Sequence, residues 1–191
     1  VGDGKSYVSR NVAASFAHLK RRALLIDCDV HWKSNSTVFG LEERDGLTDV
    51  LGSGRKFGSL VEKNVLPHLD FLPAGSWVNE TQRMFLSQEF STLLNDLKTF
   101  YGLIILDAPT VTLSPEAETI ARYSDLNVIV ASDNKTHRQS IRLALDLLSD
   151  TRCLPHHAVL NRVNPNMRIF NQTQQIAARG RASRVERKKA S

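Results

Sequence analysis

The sequence predicts an α/β fold of three layers, in which helices cover both faces of a mostly parallel sheet. Five short aliphatic runs alternate with longer stretches of helical period. Continuous apolar runs are typical of parallel strands buried on both faces. Strands that alternate with helices join through right-handed crossovers. The predicted strands lie at 23–27, 69–73, 103–107, 128–130 and 158–160.

Helices are predicted in the intervals between these strands. The intervals 6–20, 90–97 and 141–148 each place apolar residues at helical spacing. Ser87 is a suitable N-cap for the second of these helices, with an acidic residue in its first turn. The apolar periodicity fades beyond about Asn164. We therefore expect one domain over residues 1–163, followed by a loosely ordered basic tail over 164–191.

Composition limits the class of protein. Hydrophobic residues make up 41% of the chain and charged residues 24%, which is typical of a soluble globular protein. No apolar run approaches the roughly 20 residues of a membrane-spanning helix, and the chain opens on a polar loop rather than a signal peptide. Cys28 and Cys153 fit no metal-binding spacing, so we expect free thiols in a reducing compartment.

The net charge of +5 belongs to the end of the chain. Residues 179–191 hold six basic residues and one acid, so residues 1–178 carry no net charge. Such a tail could contact acidic lipid headgroups or nucleic acid. A solvated, disordered end has the same composition. The basic pI therefore describes a tail and not a basic binding face.

The first residues match most of a phosphate-binding loop. Residues 1–6 read Val-Gly-Asp-Gly-Lys-Ser and run into the first predicted helix, as in G-x-x-x-x-G-K-[ST], whose first glycine would precede residue 1. Gly2, Asp3 and Gly4 would let backbone N–H groups surround a phosphate at the positive end of that helix. Lys5 would reach the β- and γ-phosphates, and the Ser6 hydroxyl would ligate Mg²⁺. The loop predicts a nucleotide site of the P-loop NTPase type.

Acidic residues end two of the predicted strands. Asp27 and Asp29 follow one aliphatic run, and Asp107 follows another. Open α/β sheets bind ligands at the carboxyl ends of their strands, so these acids would lie where Mg²⁺ and an attacking hydroxyl meet. One acid could order the water shell of the metal, and another could accept a proton. Each acid alone could be a strand-end cap, but the ordered combination favours a shared site.

One further polar residue follows the last predicted strand. Asn161 follows the run at 158–160 and could form a hydrogen bond with the edge of an adenine ring. As a single feature this signal is weak, because Asn is common after strands. We keep Asn161 as a candidate nucleotide contact.

The order of loop, Asp-x-Asp and Asp-x-Pro resembles the deviant-Walker ATPases that include MinD and ParA. It resembles more closely the bacterial tyrosine autokinases of exopolysaccharide synthesis and export. Val1 stands where the partitioning ATPases have glycine. Residues 25–29 are similar to the Walker A′ motif of the kinases. Residues 46–52 are similar to the Gly-Leu-Thr-Asp-Val-Leu segment that follows that motif. The resemblance covers residues 1 to about 163.

The resemblance implies phosphoryl transfer from ATP with Mg²⁺ to tyrosine. It gives Lys5, Asp27, Asp29 and Asp107 catalytic positions, and it gives Ser6, Asp27 and Asp107 metal positions. It also implies a membrane polysaccharide co-polymerase domain as partner, on the same or a separate chain, and a homo-oligomer of the full-length protein. The implied location is cytoplasmic, at the inner face of the bacterial inner membrane. Nucleic acid is not an expected partner.

Three departures from the family leave other functions open. His31 stands at the Walker A′ arginine position, so the permanent positive charge of the family's arginine is absent there. The only tyrosines are Tyr7, Tyr101 and Tyr123, and none lies in the tail, where the family carries its phosphorylated cluster. The strand that precedes the loop in the family is expected to be missing. The alternatives are a non-catalytic nucleotide switch that controls polysaccharide chain length and a ParA/MinD-type partitioning ATPase.

Overall fold

The computed structural model describes residues 2–149 and 156–164. The helices in these ranges are α1 (Lys5–His18), α2 (Ser34–Val38), α3 (Leu47–Ser53), α4 (Phe57–Leu60), α5 (Thr81–Phe85), α6 (Gln88–Leu97), α7 (Pro115–Ala121) and α8 (Arg138–Ser149). The strands are β1 (Ala23–Asp27), β2 (Glu62–Leu66), β3 (Leu69–Leu72), β4 (Leu103–Asp107), β5 (Asn127–Ser132) and β6 (His156–Asn161). All five predicted strands are present, and the three predicted helices shift by three residues or fewer at their ends.

The strands form a mostly parallel arrangement in two parts. The first part has the order β2-β3-β1-β4, with β1 parallel to both β3 and β4 and with β2 antiparallel at one edge. The second part is the parallel pair β5-β6. The predicted parallel α/β class is confirmed. β4 is an edge strand, so its aliphatic residues are half-buried whereas those of β1 are fully buried.

Alternate residues of β1 pack into cores on opposite faces of the four-stranded sheet. On one face the core joins α1 to the strands through Ala13, Ala17, Ala23, Leu25, Leu69 and Phe71. On the other face it joins α5, α6 and α7 through Leu24, Ile26, Phe85, Phe90, Leu94, Leu97 and Ile120. Each fully buried large apolar side chain contributes about 1.5–3 kcal/mol. Two cores on two faces confirm the three-layer architecture.

Local sequence explains where several helices begin. Ser87 caps α6 as predicted, because its Oγ accepts a hydrogen bond from the backbone N–H of Phe90 at 3.3 Å. In α3 the carboxylate of Asp49 accepts from the N–H of Gly46 at 2.8 Å. The short helices α2, α3, α4, α5 and α7 were not predicted, because four to seven residues are too few to show a helical period.

A buried carboxylate connects the amino ends of three adjacent strands. Asp70 in β3 is 4% exposed and accepts hydrogen bonds from the Tyr101 hydroxyl (2.7 Å), the Arg22 guanidinium (3.1 Å) and the Asn64 N–H (2.9 Å). Arg22 directly precedes β1, and Tyr101 lies two residues before β4. Burial opposes ionisation of Asp70, but the hydrogen bonds from Asn64, Tyr101 and Arg22 lower its pKa overall. The network holds the amino ends of β1, β3 and β4 together, at the end of the sheet opposite to Asp27 and Asp107.

Two further expectations concern cysteines and membrane helices. Cys28 is a buried free thiol, as predicted, while Val1, Cys153 and the tail from residue 165 lie outside the described residues. Within residues 2–149 and 156–164, no helix has the length and apolar character needed to cross a membrane.

We predict that Tyr101→Phe lowers the free energy of unfolding by about 1–2 kcal/mol at pH 7, because a bond to a buried carboxylate is lost. The lowered pKa of Asp70 stabilises the folded state above the ordinary pKa of aspartate, and this contribution is lost as the pH falls. The loss caused by the substitution should therefore shrink towards pH 3. Urea titrations at several pH values measure it, with Tyr7→Phe at a 58% exposed site as the control. An equal loss at pH 7 and pH 3 would contradict this account.

Candidate nucleotide-binding site

The loop before α1 has the backbone shape of an anion site. Gly2 and Gly4 have φ angles of 81° and 93°, in the left-handed region that favours glycine. Gly4 is the N-cap of α1, and no side chain among the described residues caps the helix. The first N–H groups of α1 thus have no capping side chain, and the positive end of the helix faces the loop. This arrangement is the one predicted from the loop sequence.

Strand register places two acids side by side. β1 and β4 pair in parallel with Asp27 opposite Asp107, at the carboxyl ends of both strands. Asp27 is fully buried, and Asp107 is 3% exposed. Asp29 lies two residues after Asp27 and is 7% exposed. The three acids singled out in the sequence therefore lie at one edge of the sheet.

Burial raises the pKa of both paired carboxyls. The pKa of Asp107 is raised to about 6: desolvation by burial is the largest cause and the charge of Asp27 adds to it, whereas hydrogen bonds from Ser6 and Ser9 and the charge of Lys5 act in the opposite direction. For Asp27 burial again raises the pKa, against hydrogen bonds from Ser36. The raised pKa values show that the protein alone does not fully compensate the negative charges of the two buried carboxylates. Such a pair favours a bound cation.

Lys5 and Ser6 both reach the end of β4. The Lys5 ammonium donates to the Thr110 hydroxyl at 2.9 Å, three residues beyond Asp107. The Ser6 side chain hydrogen-bonds to Asp107. The predicted lysine, hydroxyl and acid are therefore adjacent. Thr110 was not predicted as a site residue, because nothing in the local sequence distinguishes it from other loop threonines.

The loop is also connected to the β5-β6 pair. Thr136, after β5, donates to the Asp3 carboxylate at 2.7 Å, and Asn161, at the end of β6, donates through Nδ2 to the Asp3 carbonyl at 2.9 Å. A Cβ on Gly4 would lie 2.1 Å from that Nδ2, and the φ of 93° at Gly4 is itself strained for any other residue. Burial opposes ionisation of Asp3, but the Thr136 bond contributes to a net lowering of its pKa. Asn161 thus contacts the loop, and its role at adenine stays a prediction.

Asp29 holds the turn that follows β1. Its Oδ1 accepts from the N–H of Trp32 at 3.2 Å, and its carbonyl accepts from the N–H of Lys33 at 2.8 Å. Trp32 is 69% exposed, and His31 is exposed beside it. Asp29 therefore lies between the buried acids and solvent, and its catalytic role stays a prediction.

Two residues of α2 that the sequence analysis missed hold the paired acids. Ser36 donates to Oδ2 of Asp27 through its N–H (2.9 Å) and through its hydroxyl (2.8 Å). Asn35, which is fully buried, donates through Nδ2 to Oδ2 of Asp107 at 2.8 Å. Their signal in the sequence is only a pair of small polar residues after an Asp-x-Asp. Nothing in that pattern shows that they are buried.

The acids form a partial metal site at most. In the described part of the chain, no cluster of three or more His, Cys, Asp or Glu side chains could hold a metal ion. Mg²⁺ is usually bound by one or two carboxylates together with substrate phosphates and water. Asp27, Asp107 and the Ser6 hydroxyl fit that requirement.

Comparison with known proteins identifies the family. A family model described as an AAA domain matches residues 1–149. The chain belongs to the AAA domain family. Similar proteins include the tyrosine-protein kinase YwqD of Bacillus subtilis, which is 28% identical over 160 residues that cover 84% of this chain and 68% of YwqD. This AAA domain spans 22% of the length of the Ralstonia EpsB proteins that it also matches.

Solved structures support the same grouping. The crystallised kinase domain of VpsO is 30% identical, with a TM-score of 0.79, and the match covers 85% of this chain and 80% of that chain. MinD of Pyrococcus horikoshii, solved with Mg-ADP, has a TM-score of 0.68 at 20% identity over 87% of this chain and 68% of that one, and it is similar in fold. The predicted resemblance to bacterial tyrosine kinases is confirmed, and the likeness to MinD is one of fold.

We predict that Asp107→Asn makes the protein more stable in EDTA without nucleotide. The pKa of Asp107, about 6, lies above the ordinary 3.8, so the folded state binds its proton more tightly than the unfolded state does. The charged form destabilises the fold above pH 6, by up to about 3 kcal/mol, and this cost disappears as the pH falls towards 4. The neutral amide avoids that cost at every pH.

Thermal unfolding from pH 4 to pH 8 measures the difference between the two proteins. The exposed Asp125, whose side chain is 94% accessible, supplies the control variant Asp125→Asn. A variant at Asp107 that is less stable than the wild type at pH 7.5 would show that this carboxylate is not under electrostatic strain.

Proposed function

We propose that this chain binds ATP with Mg²⁺ and transfers the γ-phosphoryl group to tyrosine. The observation that carries the proposal is the buried pair Asp27 and Asp107 beside Lys5 and Ser6 of the loop. A glycine-rich loop, a lysine, a hydroxyl and two strand-end acids are together the parts that phosphoryl transfer from a nucleotide requires.

The loop and α1 would bind the phosphates. The two glycines leave room for a phosphate to approach the backbone, and the N–H groups at the start of α1 would donate to its oxygens. The Lys5 ammonium donates a hydrogen bond to the Thr110 hydroxyl. From there a rotation of its flexible chain would bring the charge onto the β- and γ-phosphates.

Asp27, Asp107 and Ser6 would hold Mg²⁺. The fit rests on the chemistry of the donor set, since two adjacent buried carboxylates with raised pKa values and one hydroxyl suit a hard divalent cation. When bound, Mg²⁺ would neutralise charge on the β- and γ-phosphates. It would also allow both carboxylates to remain ionised at neutral pH.

Asp29 is suited to receive the acceptor proton. It is the acid nearest to solvent among the three, beside the exposed Trp32. The tyrosine oxygen would form a bond to the γ-phosphorus as the bond from that phosphorus to the bridging oxygen of ADP breaks. ADP would leave with the electron pair, and the hydroxyl proton would pass to Asp29.

The tyrosine acceptor is expected outside this chain. The Tyr101 hydroxyl donates to Asp70, and the ring of Tyr123 packs edge-on against Phe90 with centroids 5.1 Å apart. Tyr7 is exposed but follows Ser6 directly on α1. We therefore propose an acceptor tyrosine outside residues 1–191. By the family resemblance, the partner of the kinase is a membrane polysaccharide co-polymerase domain, on the same or a separate chain, and the site of action is the inner face of the inner membrane in exopolysaccharide export.

We predict that Lys5→Ala weakens ATP binding by about 10- to 100-fold, because a charge-assisted contact contributes about 1.5–3 kcal/mol. Titration of the purified protein with a fluorescent ATP analogue in Mg²⁺ measures the affinity. Lys63→Ala, at an exposed position on β2, is the matched control. Unchanged affinity in the Lys5 variant would remove the loop from the site.

We predict that the wild type with Mg-ATP phosphorylates a tyrosine-containing copolymer and that Asp27→Asn reduces the rate at least about 100-fold, because the Mg²⁺ that would stabilise the transferring group loses a carboxylate ligand. Radiolabelled ATP and antibody to phosphotyrosine give the readout, with Asp125→Asn as the control. A wild type that binds Mg-ATP but yields no phosphotyrosine on any acceptor would favour the nucleotide switch over the kinase.

A further inference from the structure

Asn35 is a fully buried amide whose contacts all lie around the candidate site. Its Oδ1 accepts from Nη1 of Arg10 at 2.8 Å. Its Nδ2 donates to Oδ2 of Asp107 at 2.8 Å and to Oγ of Ser9 at 3.2 Å. One oxygen and one nitrogen therefore engage three partners on α1 and at the end of β4.

The partners determine which way the amide points. A guanidinium can only donate hydrogen bonds, so the side of Asn35 that faces Arg10 must be the oxygen. The NH₂ group then faces Asp107. A flipped amide would direct its oxygen at a carboxylate oxygen and its NH₂ at the guanidinium, and both contacts would be repulsive. Arg10 therefore determines that the NH₂ group of Asn35 is directed at Asp107.

The effect on Asp107 is to restrain its rotation. Asn35 holds Oδ2, so the carboxylate cannot turn about its last bond without breaking a short bond to a buried donor. Asp27 is restrained in the same way by two bonds from Ser36, the next residue of α2. Asn35 therefore provides for Asp107 what Ser36 provides for Asp27.

We propose that Asn35 is a positioning residue for the Mg²⁺ site, which holds Asp107 in a metal-ready orientation, and that Arg10 sets the direction of its amide. The inference rests on the proposed function. Asn35 has no expected contact with nucleotide, so its effect passes through Asp107. Removing the restraint should weaken the response to Mg²⁺ and slow catalysis while nucleotide binding without metal is retained.

The test uses Asn35→Leu and Arg10→Met in the full chain, with Asn95→Leu, at an exposed position of α6, as the matched control. A fluorescent ADP analogue is titrated first in EDTA, and Mg²⁺ is then titrated at fixed nucleotide. Groups that orient metal ligands typically change metal affinity or activity by 10- to 100-fold. In Asn35→Leu we expect affinity in EDTA within about twofold of wild type and a half-saturating Mg²⁺ concentration raised at least about tenfold.

Arg10→Met should show a smaller shift in the same direction, because the amide is still present but no longer directed. In steady-state assays kcat should fall in both variants while KM for ATP changes little. A general loss of folding would instead lower EDTA affinity and thermal stability together. If Asn35→Leu fails to fold, Arg10→Met carries the test.

The outcomes separate the two claims. A wild type without Mg²⁺-dependent nucleotide binding would overturn the proposed function and this inference with it. A wild type that responds to Mg²⁺, beside folded variants with unchanged half-saturation, would overturn the inference alone. A raised half-saturation in Asn35→Leu and Arg10→Met, absent from Asn95→Leu, supports it.

Discussion

The parallel pairing of β1 with β4 sets Asp27 against Asp107, and the rest of the site depends on this one register. Two carboxylates side by side in a buried environment carry both a desolvation cost and a mutual repulsion. Burial raises the pKa of each. A slip of one residue in either strand would turn the acid to the opposite face of the sheet, because side chains alternate along a strand. The aliphatic residues that fix the register therefore also fix the chemistry.

The donors that make this pair tolerable come mainly from α2. Five residues rarely form a stable helix alone, and α2 contains Ser34, Asn35, Ser36 and Thr37, which have low helix propensity. Its stability comes from the bonds of Ser36 to Asp27 and of Asn35 to Asp107. The acids hold the helix in place as much as the helix orients the acids. A ligand that changes the charge at the acids would act on α2 through the same bonds.

This mutual dependence explains which features the sequence could predict. β1 and β4 were predicted with their observed ends, because four aliphatic residues followed by Asp are a local signal of a buried strand that ends at a ligand-binding edge. The core of the site, Lys5 with the two paired acids, was predicted because its order along the chain is itself a motif. The bond between Asn35 and Asp107 joins residues 72 positions apart, and that between Lys5 and Thr110 joins residues 105 apart. No periodicity or cap encodes such contacts. The division of the strands into two sheets is likewise a property of long-range pairing.

The glycine-rich loop before α1 is held from both sheets, which links the candidate nucleotide site to their arrangement. On one side Lys5 reaches Thr110 after β4, and on the other Asp3 is held by Thr136 after β5 and by Asn161 of β6. The Thr136 hydroxyl oxygen accepts from the N–H of Ser132 at 2.8 Å, so the hydroxyl proton is directed at Asp3.

The Asn161 side chain has limited capacity left for a base. Its Oδ1 accepts from the N–H of Arg162, and one hydrogen of its Nδ2 is donated to Asp3. An adenine nitrogen could therefore accept only from the second Nδ2 hydrogen. If Asn161 contacts the base as its position in the sequence suggests, the same side chain joins nucleotide, loop and β6. A bound nucleotide would then strengthen the connection between the two sheets.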